Sequence, residues 1–175
     1  MARIGLFYDS DTGNTRKIAK QIAKFFTEEE IDLKPIRKVE PEEFTQYDAF
    51  ILGTPTLGEG ELPENWDAFL PALGEMDLSG KTIALFGLGD QVGYADEFVD
   101  GLGLLHAALA EQGAEFIGSW PDDGYEYEIS MGELDSRFYG LVLDQDNQSG
   151  QTPERLETWL AEVKPALLAI AAKAA

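Results

Sequence analysis

The sequence predicts an α/β fold: a doubly wound, five-stranded parallel sheet with helices on both faces. Three observations predict it. Apolar runs of strand length alternate with segments of helical periodicity from end to end. The first strand passes into the first helix through a hydroxyl-rich loop, Ser10-Asp11-Thr12-Gly13-Asn14-Thr15. No repeat, low-complexity segment or interdomain linker divides the 175 residues, so residues 1–175 read as one domain. Alternation of this kind builds a parallel sheet, and right-handed crossovers bring every strand-to-helix loop to its carboxyl edge.

Each element has a local reason. Arg3–Tyr8 is apolar enough for a buried strand. Asn14–Glu29 follows as a helix with Ile18, Ile22, Phe25 and Phe26 on one face. Ile31–Ile36 is more polar and suits a sheet edge. Ala49–Gly53 and Thr82–Gly87 are short apolar central strands. Asn65–Leu73 is a short helix with Trp66, Phe69 and Leu70 toward the core. Asp96–Gln112 is a helix with Phe98, Leu102, Leu105 and Leu109 on one face. Glu115–Trp120 is the fifth strand. Thr152 caps the last helix with Pro153 at its first position, and Leu156, Trp159, Leu160, Val163 and Leu167 form the apolar stripe. Pro121–Phe138 breaks the rhythm. It is rich in Asp, Glu, Gly and Tyr and lies between the strand-like pieces Glu115–Trp120 and Tyr139–Leu143. The fifth strand is therefore expected to be interrupted by a long loop, which either carries function or is a simple excursion.

Composition narrows the function. Asp and Glu number 33 against 13 Lys and Arg, a formal net charge of −20. Such a field repels nucleic-acid backbones and anionic membranes and favours a partner with a basic face. No cysteine is present, which excludes disulfides, thiolate catalysis and cysteine-ligated clusters. The single histidine, His106, falls within a helix away from the strand ends and reads as structural or surface. No signal peptide is visible, and the apolar tail Ala166–Ala172 is too short to span a bilayer. A cytoplasmic monomer with no membrane insertion is expected.

Three loops carry the chemistry. Ser10–Thr15 opens a helix, whose first N–H groups and positive dipole end suit a phosphate. The hydroxyls of Ser10, Thr12 and Thr15 add donors, and with no Lys or Arg in the loop the donors are neutral. The second loop, Thr54-Pro55-Thr56-Leu57-Gly58-Glu59-Gly60-Glu61-Leu62, has two glycines that permit peptide reorientation. The third, Gly87-Leu88-Gly89-Asp90-Gln91-Val92-Gly93-Tyr94, joins close backbone approach to an aromatic ring. A flat heteroaromatic ligand needs amides at its edge and rings or aliphatics on its faces.

These three loops resemble the phosphate loop and the two isoalloxazine loops of flavodoxins, and Asp144-Gln145-Asp146-Asn147-Gln148 resembles a further family segment. The resemblance covers the whole chain. The interruption at Pro121–Phe138 is similar to the insertion of the long-chain branch, and Thr54–Pro63 is most similar to flavodoxins associated with nitrogen fixation. The resemblance implies the strand order 2-1-3-4-5 and FMN as cofactor. It implies that Ser10, Asp11, Thr12, Gly13, Asn14 and Thr15 wrap the phosphate, and that Tyr94 stacks on the outer flavin face. Leu57, with Pro55 and Thr56 beside it, takes the inner face. Leu88, Gly89, Asp90, Glu97 and Phe98 border the pyrimidine side, mostly through backbone groups, and Asp146 lies near the ribityl chain. The Gly58–Glu59 peptide matches the one that turns over when the flavin gains a proton at N5. Leu57 stands where many long-chain relatives have tryptophan, giving up stacking on the order of 1 kcal/mol.

The resemblance further implies a low-potential one-electron carrier, not an enzyme, working mainly between the semiquinone and hydroquinone of FMN. The acidic surroundings, Glu59, Glu61 and Asp90 among them, disfavour an anionic reduced flavin and so make the second potential strongly negative. The implied partners are ferredoxin/flavodoxin–NADP reductase, a pyruvate oxidoreductase, nitrogenase reductase or photosystem I. The nearest alternative is an FMN-dependent NAD(P)H:quinone reductase. A response-regulator receiver is disfavoured because Gly53-Thr54-Pro55 ends the third strand, with no acceptor aspartate. A nucleotide-hydrolysing loop is disfavoured because Gly13-Asn14-Thr15 lacks the required lysine.

Overall fold

The computed structural model describes residues 3–174. The apolar runs become β1 (Ile4–Tyr8), β2 (Ile31–Pro35), β3 (Ala49–Pro55) and β4 (Thr82–Leu88), all parallel, with β5 (Glu115–Ile117) beyond them. The order is β2-β1-β3-β4-β5, with the polar β2 at an edge as its composition predicts. Alternation along each strand divides the core in two. Ile4, Leu6, Ile51 and Phe86 pack beneath α1 (Asn14–Ala23) and α4 (Thr152–Ala174), where Ile18, Ile22, Trp159 and Val163 meet them. Phe7, Phe50, Leu52 and Leu85 face α2 (Glu64–Leu73) and α3 (Asp100–Glu111), which supply Trp66, Phe69, Leu102 and Leu105. Helices thus cover both faces, as a buried parallel sheet requires.

The fifth strand is split. Glu115–Ile117 pairs with Thr82–Ala84, the first half of β4. Residues 118–140 then leave the sheet and return as β9 (Leu141–Leu143), which pairs with Phe86–Leu88 on the second half of β4. The expected strand Glu115–Trp120 therefore ends early. Gly118, at φ 81, turns the chain where a Cβ would meet Val163 Cγ1 at 2.7 Å. Trp120–Pro121 is β6 of a separate antiparallel sheet, completed by β7 (Glu133–Leu134) and β8 (Arg137–Phe138) in the order β6-β8-β7.

Other boundaries differ for identifiable reasons. The first helix ends at Ala23 rather than Glu29. Phe25 and Phe26 donate to Ile22 and Ala23, tightening the last turn, and Glu30 folds back to accept from the Thr27 N–H at 2.8 Å. Phe26 enters the core while Phe25 is left exposed. Leu70, expected in the core, is half-buried, and Leu73 takes that place. The third helix starts at Asp100 rather than Asp96. The carbonyl of Ala95, which a continuing helix would bond to Val99, accepts instead from Glu128 and Ile129 of the insertion. Val99 then sits at φ 47, a left-handed conformation rare for a β-branched residue. Thr152 does not cap α4: its φ of −58° and ψ of −46° are helical, and a 3₁₀ turn over Ser149–Gln151 leads directly into the helix.

Candidate functional site

The ends of β1, β3 and β4 place the three loops around one crevice of about 360 Å³ at the carboxyl edge of the sheet. The first loop contributes Asp11, Thr12, Asn14 and Thr15. The second contributes Pro55, Thr56, Leu57 and Gly58. The third contributes Leu88, Gly89, Asp90 and Tyr94, followed by Glu97; Asp146 closes the remaining side. Four of the residues that the resemblance assigns to the cofactor do not line it. Ser10 and Gly13 lie within the first loop, where Ser10 Oγ accepts the Gly13 N–H at 3.1 Å. Glu59 is exposed at the tip of the second loop. Phe98 is fully buried against Tyr127 and Phe138, and both of its backbone groups are engaged by Ile129 and Ser130. Val99 and Gln145 also line the crevice, beyond the residues the sequence points to. The left-handed backbone that presents Val99 has no signature in the sequence. Gln145 was legible only as part of the Asp144–Gln148 segment.

The first loop is a set of donors. Gly13, at φ 98, precedes α1 with no side-chain cap. Among the described residues, nothing accepts from the backbone N–H groups of Asp11, Thr12, Asn14, Thr15 and Arg16. Together with the hydroxyls of Thr12 and Thr15 they fit a dianionic phosphate without any basic side chain.

The second loop is a tight turn. Leu57 and Glu61 exchange backbone hydrogen bonds at 2.8 and 2.7 Å, with Gly58 at φ 51 and Gly60 at φ 90 between them. The Gly58 carbonyl and the Glu59 N–H have no partner among the described residues, so that peptide can turn without breaking a bond. The loop is fastened from one side by α3, where the Gly101 N–H donates to Thr56 Oγ1 at 2.8 Å. A Cβ at Gly101 would meet the Pro55 carbonyl at 2.5 Å, so this approach requires glycine. Asp100 lies under Gly60 and accepts from the Met131 N–H at 2.7 Å; burial raises its carboxyl above the usual range.

The third loop is wound around two carboxylates. Asp90 Oδ1 accepts from Gly93 N at 2.7 Å, Val92 N at 3.0 Å and Asn147 Nδ2 at 2.8 Å. The Gly93 N–H is the main reason its carboxyl lies below the ordinary range. The turn delivers Tyr94 to the crevice mouth, where the residue is about half exposed (52%). Asp144 is fully buried and accepts from the backbone N–H groups of Gln91, Asp146 and Asn147 and from the side-chain amides of Gln91 and Asn147. Burial and the nearby Asp90 and Asp144 raise the carboxyl of Asp146.

The insertion braces this arrangement. Its segment 128–131 runs along 95–100, the stretch that carries Glu97 and Val99 to the crevice. Gln91 Oε1 accepts from the Glu126 N–H at 2.6 Å, which joins the insertion to the third loop. Tyr125 anchors it from inside: its hydroxyl donates to the Val142 carbonyl at 2.5 Å, and burial pushes its pKa up to about 12. His106 stacks on Tyr139 at 3.7 Å, outside the crevice lining, and burial lowers its pKa.

Comparison with known proteins gives a consistent result. The profile of the Flavodoxin family matches residues 6–159. The chain is similar to a flavodoxin of Klebsiella pneumoniae, with 49% identity across 96% of this chain and 100% of the relative. It is similar to flavodoxin 1 of Escherichia coli K12, with 43% identity across 95% of this chain and 96% of the relative. Among solved structures, the Fusobacterium nucleatum flavodoxin bound to flavin mononucleotide superimposes with a TM-score of 0.89. Its identity is 32%, over 95% of this chain and 99% of that one.

Proposed function

This chain belongs to the flavodoxin family, and we propose that it carries single electrons at low potential on non-covalently bound FMN. One observation carries the proposal. The same crevice is lined by first-loop amides and hydroxyls that have no partner among the described residues and, from the two other loops, by an aliphatic and an aromatic side chain, Leu57 and Tyr94. That is the donor set of a phosphate beside the slot of a planar ring.

When bound, FMN supplies the one-electron redox chemistry. The residues of this chain set its terms. Asp11, Thr12, Asn14, Thr15 and Arg16 hold the phosphate through backbone N–H groups, with Ser10 shaping the turn by accepting the Gly13 N–H. Tyr94 covers the outer ring face, Leu57 the inner, and both exclude water. Leu88, Gly89, Asp90 and Glu97 border the pyrimidine edge, and Asp146 the ribityl chain. The Gly58 carbonyl, which has no partner among the described residues, would accept a hydrogen bond from a protonated ring nitrogen. Glu59, Glu61 and Asp90 disfavour added negative charge on the ring. Lys81 is the only Lys or Arg between residues 39 and 136, and it donates to the Tyr47 carbonyl and neighbours Asp48 at the start of β4, away from the crevice. These features support a strongly reducing lower couple.

The same charge distribution supports partners with basic faces. The candidate classes are ferredoxin/flavodoxin–NADP reductase, a pyruvate oxidoreductase, nitrogenase reductase and photosystem I. No helix among the described residues is long and apolar enough to cross a membrane. We place this single-domain carrier in the cytoplasm as a monomer. Titration of the apoprotein with FMN tests the assignment: quenching of flavin fluorescence at one FMN per chain is expected, with no rapid NAD(P)H oxidation when a quinone is added. Failure to take up FMN overturns the cofactor assignment, and rapid quinone-dependent turnover overturns the carrier.

A further inference from the structure

Asp9 directly follows β1 and immediately precedes the first loop. It is buried, with 4% of its surface exposed. Its carboxylate accepts four hydrogen bonds. Oδ1 accepts from the Ser10 N–H at 2.9 Å and from Asn65 Nδ2 at 3.0 Å. Oδ2 accepts from the backbone N–H groups of Asn65 at 2.9 Å and Trp66 at 3.1 Å. The last two lie in the first turn of α2, whose N-terminus has no local side-chain cap because Pro63 precedes it. Asp9 therefore supplies that cap from 56 residues away in sequence, and the helix dipole offsets its charge.

The bonds form a closed set. The Gly53 carbonyl, in the second half of β3, accepts both the backbone N–H of Asp9, at 3.2 Å, and the indole N–H of Trp66, at 2.9 Å. Trp66 is fully buried, so α2 is fixed to β3 independently of Asp9. The first loop has little else to hold it. Within it one side-chain bond, from Gly13 N to Ser10 Oγ, is made, and most of its amides stay unengaged.

We propose that Asp9 is a positioning residue that fastens the first loop to the start of α2, and so sets the phosphate end of the crevice relative to the ring end. The proposal rests on the cofactor reading above. It separates two effects that a carboxylate here could have. Repulsion of a phosphate would make Asp9 harmful to FMN binding. Positioning makes it necessary, and specifically for the phosphate, because the ring-side loops are held by Gly101, Asn147 and Asp144.

The test compares the wild type with Asp9→Asn and the milder Asn65→Ala, which removes one of the four bonds. An amide at position 9 keeps one acceptor oxygen but turns an NH₂ toward N–H donors. In Asp9→Asn, the dissociation constant for FMN is expected to rise about tenfold or more, while that for riboflavin, which lacks the phosphate, changes less than about threefold. Asn65→Ala should fall between wild type and Asp9→Asn. Parallel weakening of FMN and riboflavin would reduce Asp9 to a helix cap and overturn the proposal; tighter FMN binding would show that repulsion dominates and also overturn it. Amide hydrogen exchange of the apoproteins provides a readout independent of flavin. Faster exchange at Ser10, Gly13, Asn65 and Trp66, with Gly101 unchanged, is expected, and unchanged exchange at those four overturns the proposal. A wild-type protein that bound neither flavin would overturn the cofactor reading instead, and exchange would still decide the role of Asp9.

Discussion

Asp144 and Gln91 are joined twice: the buried carboxylate of Asp144 accepts from both the backbone N–H of Gln91, at 3.1 Å, and its side-chain amide, at 2.7 Å. Among the described residues no Lys or Arg pairs with Asp144. Its charge is compensated by amide donors from two segments, and Gln91 passes the connection on to Glu126 of the insertion. Asp144→Asn would turn an NH₂ toward some of those donors and leave them buried without an acceptor. We expect a loss of about 2–4 kcal/mol in urea unfolding. A change within experimental error would show that the network relaxes freely.

Gly101→Ala tests whether the approach of α3 to the second loop matters. Alanine favours a helix over glycine by about 1 kcal/mol, so propensity alone predicts stabilisation. The Pro55 carbonyl lies 2.5 Å from the new Cβ and Thr56 Oγ1 lies 3.0 Å from it. Displacement of Thr56 should reverse the sign, lowering thermal stability and weakening FMN binding. A more stable variant with wild-type affinity would refute the close-packing argument.

The outer face of the ring site depends on Tyr94, which is about half exposed (52%) at the crevice mouth. Tyr94→Ala should weaken FMN binding by about 1–3 kcal/mol, the range for a stacked aromatic. Wild-type affinity in a fluorescence titration would mean that Tyr94 does not stack.

Burial raises the carboxyl of Asp100, so its stability contribution has a defined sign. A group with a folded pKa above its unfolded value favours the folded state below the unfolded pKa and loses that contribution as pH rises through the folded one. Asp100→Asn removes the charge and can keep the acceptor for Met131 N–H. It should be more stable than wild type at pH 7, with the difference shrinking as pH falls through the raised pKa. Chemical denaturation across pH 4–8 checks this, and a pH-independent difference would contradict it.

The sheet was legible because β1, β3 and β4 are apolar along both faces and each passes into a loop of distinctive composition. The crevice was legible for the same reason: loop residues contiguous in sequence carry most of it. What was missed depends on contacts between distant segments. The start of α3 is set by a strap from residues 128–129 on the Ala95 carbonyl, and periodicity around Phe98 continued through a point where the backbone turns left-handed at Val99. The end of α1 is decided by the turn over Thr27–Glu30, although Phe25 and Phe26 fit a helical stripe. Asp9 and Asp11 look alike as a pair in the sequence, yet one caps a distant helix and the other lines the crevice.

An acidic ring site without Lys or Arg is expected to separate two one-electron steps of bound FMN and to hold the lower one strongly negative. Stepwise anaerobic reduction of the FMN-loaded protein, followed by visible absorbance, tests it most directly, with Glu59→Gln and Glu61→Gln alongside. Two resolved one-electron steps are expected in the wild type. In each variant the lower potential should move positive by about 20–40 mV, the size of one screened charge near the ring. Reduction in a single two-electron step, or potentials unmoved in both variants, would contradict it.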